Sequence, residues 1–203
     1  MARPRAFDQD QAIAAAAELF RERGYEATSI RDLTAHLGVS TSSLYAAFGD
    51  KDGIFMAALR HAADGDRAMV LAQLDGAPTL SQGLRALYQG AIDGYLAAPS
   101  PFLSLTLRAG LELADRRPDV LAFLRAHLEE LTALLAQRLL AAEARGELAL
   151  SLAADDLARY LLLSVFNLMF VVKLHRERAE LDAYVQAVLM AVLPQRGPSE
   201  VPS

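Results

Sequence analysis

The sequence predicts an all-α protein, with a small N-terminal domain of three helices and a larger C-terminal helical domain. Three observations carry that prediction. Alanine and leucine dominate the 203 residues, and apolar positions recur every three or four residues along most of the chain, the period of an amphipathic helix. Strand patterning is confined to one stretch, where Leu103, Leu105, Leu107, Ala109, Leu111 and Leu113 alternate. The same stretch holds the helical series Leu103, Leu107, Leu111 and Ala114, and with no second strand to pair with, helix is preferred. Short polar residues and glycines also bracket the apolar segments as helix caps and stops.

The first helix is expected over residues 8–23. Asp8 with Gln11 has capping-box spacing, Gly24 suits a left-handed stop, and Ile13, Ala16, Ala17 and Phe20 form the buried stripe. A short second helix over 29–37, capped by Thr28 or Ser29 and ended by Gly38, turns Ile30, Leu33 and Leu37 inward. A third over 40–48 turns Leu44 and Phe48 inward, and Asp50 caps a longer fourth carrying Ile54, Phe55, Ala58 and Leu59. Further helices are expected over 79–97, 101–114, 118–145, 154–176 and 179–193. Pro101 and Pro118 fall at first-turn positions, where a missing N–H costs nothing. The tail 194–203, rich in Pro, Gly and Ser, is expected to be disordered. The helices are therefore read as a small domain over 1–51 and a larger one over 52–193.

Composition narrows the function. The chain has no cysteine, which excludes disulfides, thiolate metal sites and a cysteine nucleophile and suits a reducing cytoplasm. His36, His61, His127 and His175 are scattered, and no glycine-rich phosphate loop is present. The adjacent acid pairs Glu129-Glu130 and Asp155-Asp156 point to different helix faces. An enzyme is not expected, nor a metal or a cofactor. The N-terminus lacks the apolar core of a signal peptide. The longest apolar run, 160–172, falls short of the roughly 18 residues a bilayer span needs, so no membrane partner is expected. Net charge is −5, and the first 51 residues carry six positive side chains against seven negative. Charge totals do not argue for nucleic acid; placement must.

Placement does so in residues 28–48, a short helix, a Gly38-Val39 turn and a second short helix. In a helix-turn-helix of this layout the second helix enters the major groove while the first braces it. With Leu33, Leu37, Val39, Leu44 and Phe48 inward, the third helix presents Thr41, Ser42, Ser43 and Tyr45, hydroxyls suited to base edges and phosphate oxygens. Arg3 and Arg5 lie on an arm ahead of the first helix, Arg31 in the first turn of the second and Lys51 in the first turn of the fourth. Each is placed to meet a phosphate or, for the arm, a minor groove. Spacing alone leaves a second reading open, a helical protein-interaction module without DNA binding.

The stretch GYEATSIRDLTAHLGVSTSSLYAAFGDKDGIFMAAL, residues 24–59, resembles the DNA-binding segment of the TetR (tetracycline repressor) family, and MARPRAFD resembles the start of many members. The matching features are Gly24-Tyr25, Thr28-Ser29-Ile30, Leu33-Thr34, Gly38-Val39-Ser40, Leu44-Tyr45, Phe48 and Lys51 in one frame. The resemblance implies a homodimer that binds double-stranded operator DNA and answers to a small-molecule effector. By position it places Thr41, Ser42, Ser43, Tyr45 and Ala46 against DNA, with Thr28, Tyr45 and Lys51 as phosphate anchors. Many members carry a basic residue at the position of Thr41 and an aromatic or histidine at Ala46 or Ala47. Here the hydroxyls and Tyr45 must carry more of the contact.

Past residue 60 the resemblance is faint, but the residues still speak. The helix over 154–176 is apolar on every side between Tyr160 and Val172 and must be covered all round. With its neighbour over 179–193 it is expected to build a four-helix dimer interface, as the family does with its last two helices. Tyr88, Tyr95, Phe102, Phe123 and Phe166 are candidate linings of an apolar effector pocket, with Arg108 and Glu112 as charge readers. For that last pair a simple i,i+4 ion pair is the competing reading. The fourth helix, joining the two domains, would carry the effector's signal to the DNA-binding face.

Overall fold

Capping decides where the first helices begin. In the computed structural model, which describes residues 8–97, 104–175 and 177–193, Asp8 caps α1 (Gln9–Arg23) by accepting from the backbone N–H groups of Asp10 and Gln11. Ser29 rather than Thr28 caps α2 (Ile30–Leu37). Its hydroxyl accepts from Asp32 N at 3.1 Å while the Asp32 carboxylate accepts from Ser29 N at 2.9 Å, a complete capping box. Ser40 caps α3 (Thr41–Phe48), and Asp50 accepts from Gly53 N at 2.7 Å at the start of α4 (Lys51–Asp75). Gly38 ends α2 with φ 65°, a left-handed conformation that glycine adopts without steric penalty.

The later helices are α5 (Leu80–Ala97), α6 (Leu105–Leu113), α7 (Pro118–Ala144), α8 (Ala154–Leu174) and α9 (Arg178–Val192). The alternating leucine stretch is helical from Leu105 onward, and Ser104 caps it. The tail 194–203 lies outside the described residues, so its expected disorder is left as an expectation.

The chain packs as two units whose boundary is not the one at residue 51. The first comprises residues 1–66 and 102–124, the second residues 67–101 and 125–203, so the division falls inside α4 and inside α7. In the first unit, Ala16, Phe20, Leu33, Leu44, Ile54, Phe55, Ala58 and Leu59 form a core together with Leu105, Ala109, Leu113 and Val120. The reason for the larger unit is arithmetic of surface. Three short helices bury too little apolar area on their own, and α6 with the start of α7 completes the core. Phe20 and Phe55 meet edge to face at 5.1 Å, and Tyr25 meets Phe55 at 4.8 Å.

In the second unit α5 packs on α8 and α9. Leu84, Leu87, Tyr88 and Ile92 of α5, Leu157 and Leu161 of α8, and Leu181 and Val185 of α9 are all buried. The buried Tyr88 hydroxyl donates to the Leu161 carbonyl at 3.0 Å and also meets the Ser164 hydroxyl. Burial pushes the Tyr88 phenol well above its ordinary range. Glu147 closes the start of α5 by accepting from Leu80 N and Ser81 N. Helix α8 is long and apolar enough to cross a bilayer by composition alone. Here one side of it is buried, while Tyr160, Leu163, Phe170 and Leu174 stay exposed in the single chain.

Candidate nucleic-acid interface

The outward face of α3 is set by its single buried anchor. Leu44 is fully buried against the core, which turns Thr41, Ser42, Tyr45 and Ala46 to solvent; Tyr45 remains 44% exposed. Ser43 lies half-buried beside them. The Ser40 hydroxyl lies 2.9 Å from those of both Ser42 and Ser43 and accepts from Ser43 N at 3.1 Å. The start of the helix is thus pre-ordered by its own hydroxyls, and Ser42 and Tyr45 retain capacity to donate and accept. A helix face of hydroxyls, one phenol and an alanine methyl can meet base edges, phosphates and thymine methyls without a formal charge.

The cations flanking this face are largely engaged. Arg21 pairs with Glu18 at 2.6 Å and Arg23 with Asp32 at 3.4 Å, while Arg31 is exposed in the first turn of α2. The Lys51 ammonium sits 4.1 Å above the Tyr25 ring centroid, a cation–π contact at the start of α4. The Tyr25 hydroxyl donates to Asp52, which also accepts from Arg117 at 2.9 Å; Arg117 in turn pairs with Asp119 at 2.8 Å. Burial and the neighbouring Asp52 carboxylate push the Tyr25 phenol up to about 12. The same hydrogen bond from Tyr25, and then Arg117, hold Asp52 below the usual carboxylate range.

One anchor read from the resemblance needs correction. Thr28 is fully buried, and its hydroxyl donates to the Gly24 carbonyl at 2.6 Å. The side chain satisfies the turn between α1 and α2, out of reach of a phosphate. Arg3 and Arg5 lie outside the described residues, as does Phe102.

The expected effector residues divide between the units. Arg108, Glu112 and Phe123 belong to the first, Tyr88, Tyr95 and Phe166 to the second. Arg108 and Glu112 are not exposed charge readers. Arg108 donates to the carbonyls of Arg21 and Glu22 at 3.3 and 3.2 Å, and Glu112 accepts from Tyr25 N and Glu26 N at 3.3 and 2.9 Å. Tyr88 is a fully buried core residue with its hydroxyl engaged, and Tyr95 is buried. The second unit does present a groove of about 670 Å³ lined by Thr79, Ser81, Gln82, Arg85, Gln186, Leu189, Met190 and Leu193, a set the sequence did not suggest. Its residues come from the start of α5 and the end of α9, more than a hundred positions apart, with no shared motif.

The comparisons with known proteins decide the family. A model of the bacterial regulatory proteins of the tetR family matches residues 12–58, which hold α1, α2, α3 and the start of α4. A cysteine mutant of the TetR family transcriptional regulator CifR, solved with 26-base-pair double-strand operator DNA, superposes with a TM-score of 0.80 and is 33% identical. That likeness covers 94% of this chain and 100% of the other. This chain belongs to the TetR family. It is similar along its length to the HTH-type transcriptional regulator YezE of Bacillus subtilis (strain 168), 27% identical over 93% of this chain and 98% of that protein. The HTH-type transcriptional repressor BdcR of Escherichia coli (strain K12) is 51% identical over 53 residues, 26% of this chain and 27% of that protein. As a TetR-family member the chain is a DNA-binding transcriptional regulator.

Proposed function

We propose that this TetR-family regulator is a cytoplasmic homodimeric repressor, released from its operator by a small, mostly apolar or aromatic effector bound in the second unit. The observation that carries the reading is the α3 face: Leu44 anchored in the core, with Thr41, Ser42, Tyr45 and Ala46 turned outward from a pre-ordered helix start. Arg31 and Lys51 flank it, and the arm with Arg3 and Arg5 precedes it in sequence. Two such faces in a dimer meet successive major grooves when separated by about one DNA turn, roughly 34 Å. The name of BdcR and the operator complex of CifR support repression through operator binding.

Support for the dimer comes from α8. Tyr160, Leu163, Asn167, Phe170 and Leu174 are all exposed and spaced 3, 4, 3 and 4 residues apart, a continuous stripe on one side of the helix. On α9, Ala183 and Ala187 are exposed one turn apart, small enough for close helix approach. A second copy offering the same faces would bury both. For the effector, the groove of about 670 Å³ has the size of small-molecule sites, and it sets Arg85 beside Leu189 and Leu193. Helix α4 is continuous from Lys51 to Asp75 and, like α7, contributes residues to both units; because it follows α3 directly, it is a covalent route by which effector binding can reach α3. Effector and operator affinities are then reciprocally coupled.

Selection of bound duplexes from a random-sequence library tests the reading. The expected result is enrichment of one inverted repeat, with two protomers bound per duplex. Enrichment of no sequence, or a monomer at micromolar concentration, contradicts it.

A further inference from the structure

We infer that the Arg108–Glu112 pair of α6 is a latch on the helix-turn-helix: it holds both sides of the turn between α1 and α2, fixes how α2 and α3 are presented, and so sets operator affinity. The inference rests on the DNA-binding reading above and assigns it a regulatory residue pair.

The turn's polar backbone is satisfied from α6. The last carbonyls of a helix have no partner within it, and a cation is favoured there. Arg108 fills that role for α1, donating to Arg21 O at 3.3 Å and Glu22 O at 3.2 Å. Glu112, one turn further along α6, accepts from Tyr25 N at 3.3 Å and Glu26 N at 2.9 Å, on the other side of the same turn. Arg108 Nε lies 3.5 Å from Glu112 Oε2, so the two side chains brace each other. They are 19% and 24% exposed, against 52% and 37% for the solvent pair Arg23–Asp32.

Gly24 shows how closely the fit is made. Its φ of 87° favours glycine, and a Cβ there would lie 2.3 Å from Glu112 Oε2 and 2.7 Å from an Arg108 guanidinium nitrogen. The turn favours glycine for its conformation, and a side chain there would push the ends of Arg108 and Glu112 aside.

The latch helix is itself tied to α4. At its start Ser104 and Thr106 donate to Asp66 at 2.7 and 2.6 Å, and just past its end Arg117 pairs with Asp52 at 2.9 Å. A displacement of α6 relative to α1 must carry the turn with it or break four hydrogen bonds. Either outcome changes the base on which α2 and α3 stand.

The test compares the full-length protein with Glu112→Ala, Glu112→Gln and the charge exchange Arg108→Glu with Glu112→Arg. The probes are the duplex the wild type selects from a random library and a scrambled duplex. The charge exchange keeps an i,i+4 ion pair but sets a carboxylate against the α1 carbonyls, so it separates a latch from an ordinary pair. The expected result is about tenfold weaker binding of the selected duplex by Glu112→Ala and by the charge exchange, with the scrambled duplex bound as before. Glu112→Gln keeps an acceptor and stays within about threefold. Amide exchange at Tyr25 and Glu26 is slow in the wild type and fast in Glu112→Ala. A charge-exchanged protein that binds the selected duplex like the wild type overturns the inference. So do wild-type Tyr25 and Glu26 amides that exchange without protection, whether or not any variant folds. A wild type that selects no duplex, with both amides protected, overturns instead the DNA-binding reading on which the inference rests.

Discussion

The two packing units treat apolar surface differently. In the first, the short helices close a core together with α4, α6 and the start of α7: Phe20, Leu33, Leu44, Ile54 and Phe55 are fully buried, and α3 shows hydroxyls and a phenol to solvent. In the second, a core of similar quality around Tyr88, Ile92 and Leu161 coexists with exposed Leu163, Phe170 and Leu174 on α8. Apolar residues that a chain cannot bury in itself mark a surface built for covering. A surface of hydroxyls over a closed core is instead suited to hydrogen-bonded recognition. One chain thus carries two kinds of exposed face, one polar and one apolar, which we propose serve nucleic acid and a second copy of the chain.

Core and stripe substitutions should break this contrast in opposite ways. Phe20→Ala removes the ring that meets Phe55 edge to face, and should lower the stability of the first unit by about 3–5 kcal/mol, read by urea unfolding. Phe170→Glu should leave helix content unchanged by circular dichroism, yet weaken self-association on the order of 100-fold. Sedimentation should then report the 21.9 kDa chain at concentrations where the wild type is expected to sediment as a dimer. If Phe170→Glu unfolds the single chain, the stripe is core and the contrast fails. A smaller effect is expected at the cap: Ser29→Ala removes one half of the α2 capping box and should cost about 1 kcal/mol in thermal unfolding.

Acid should not distinguish the units. Arg117 holds the Asp119 carboxyl down at about 2, and Tyr25 and Arg117 lower Asp52, both in the first unit. In the second, Arg138 lowers Asp75, and Gln89 and Arg178 lower Asp182. A carboxyl depressed on folding contributes stability above its ordinary value of 3.8 that is lost as pH falls through the folded value. Both units should therefore weaken together from about pH 4 towards about 2, a small shared slope in unfolding midpoints measured against pH.

The contrast was legible in the sequence to the extent that it is local. Asp8 and Asp50 cap helices at the positions their spacing predicts, Ser29 is one of the two caps expected for α2, and Gly24 and Gly38 end helices. The apolarity of α8 on all sides is legible in the sequence, and in the single chain Tyr160, Leu163, Phe170 and Leu174 are exposed. What sequence did not reveal depends on partners far away in the chain. Arg108 and Glu112 read as an i,i+4 pair or as effector contacts, because nothing near them indicates backbone groups some 86 residues earlier. Thr28 matched an anchor position, yet its hydroxyl is consumed by the Gly24 carbonyl four residues before it. The groove lining from Thr79 to Leu193 is likewise assembled only by folding.

The most direct measurement of the central claim is the affinity of Tyr45→Ala for the duplex that the wild type selects, read by fluorescence anisotropy beside a scrambled duplex. Tyr45 is exposed on α3, so its removal should leave the unfolding midpoint unchanged. The expected result is about tenfold or greater loss on the selected duplex and a smaller loss on the scrambled one, where only a phosphate contact is removed. Equal affinity of variant and wild type for the selected duplex would contradict it.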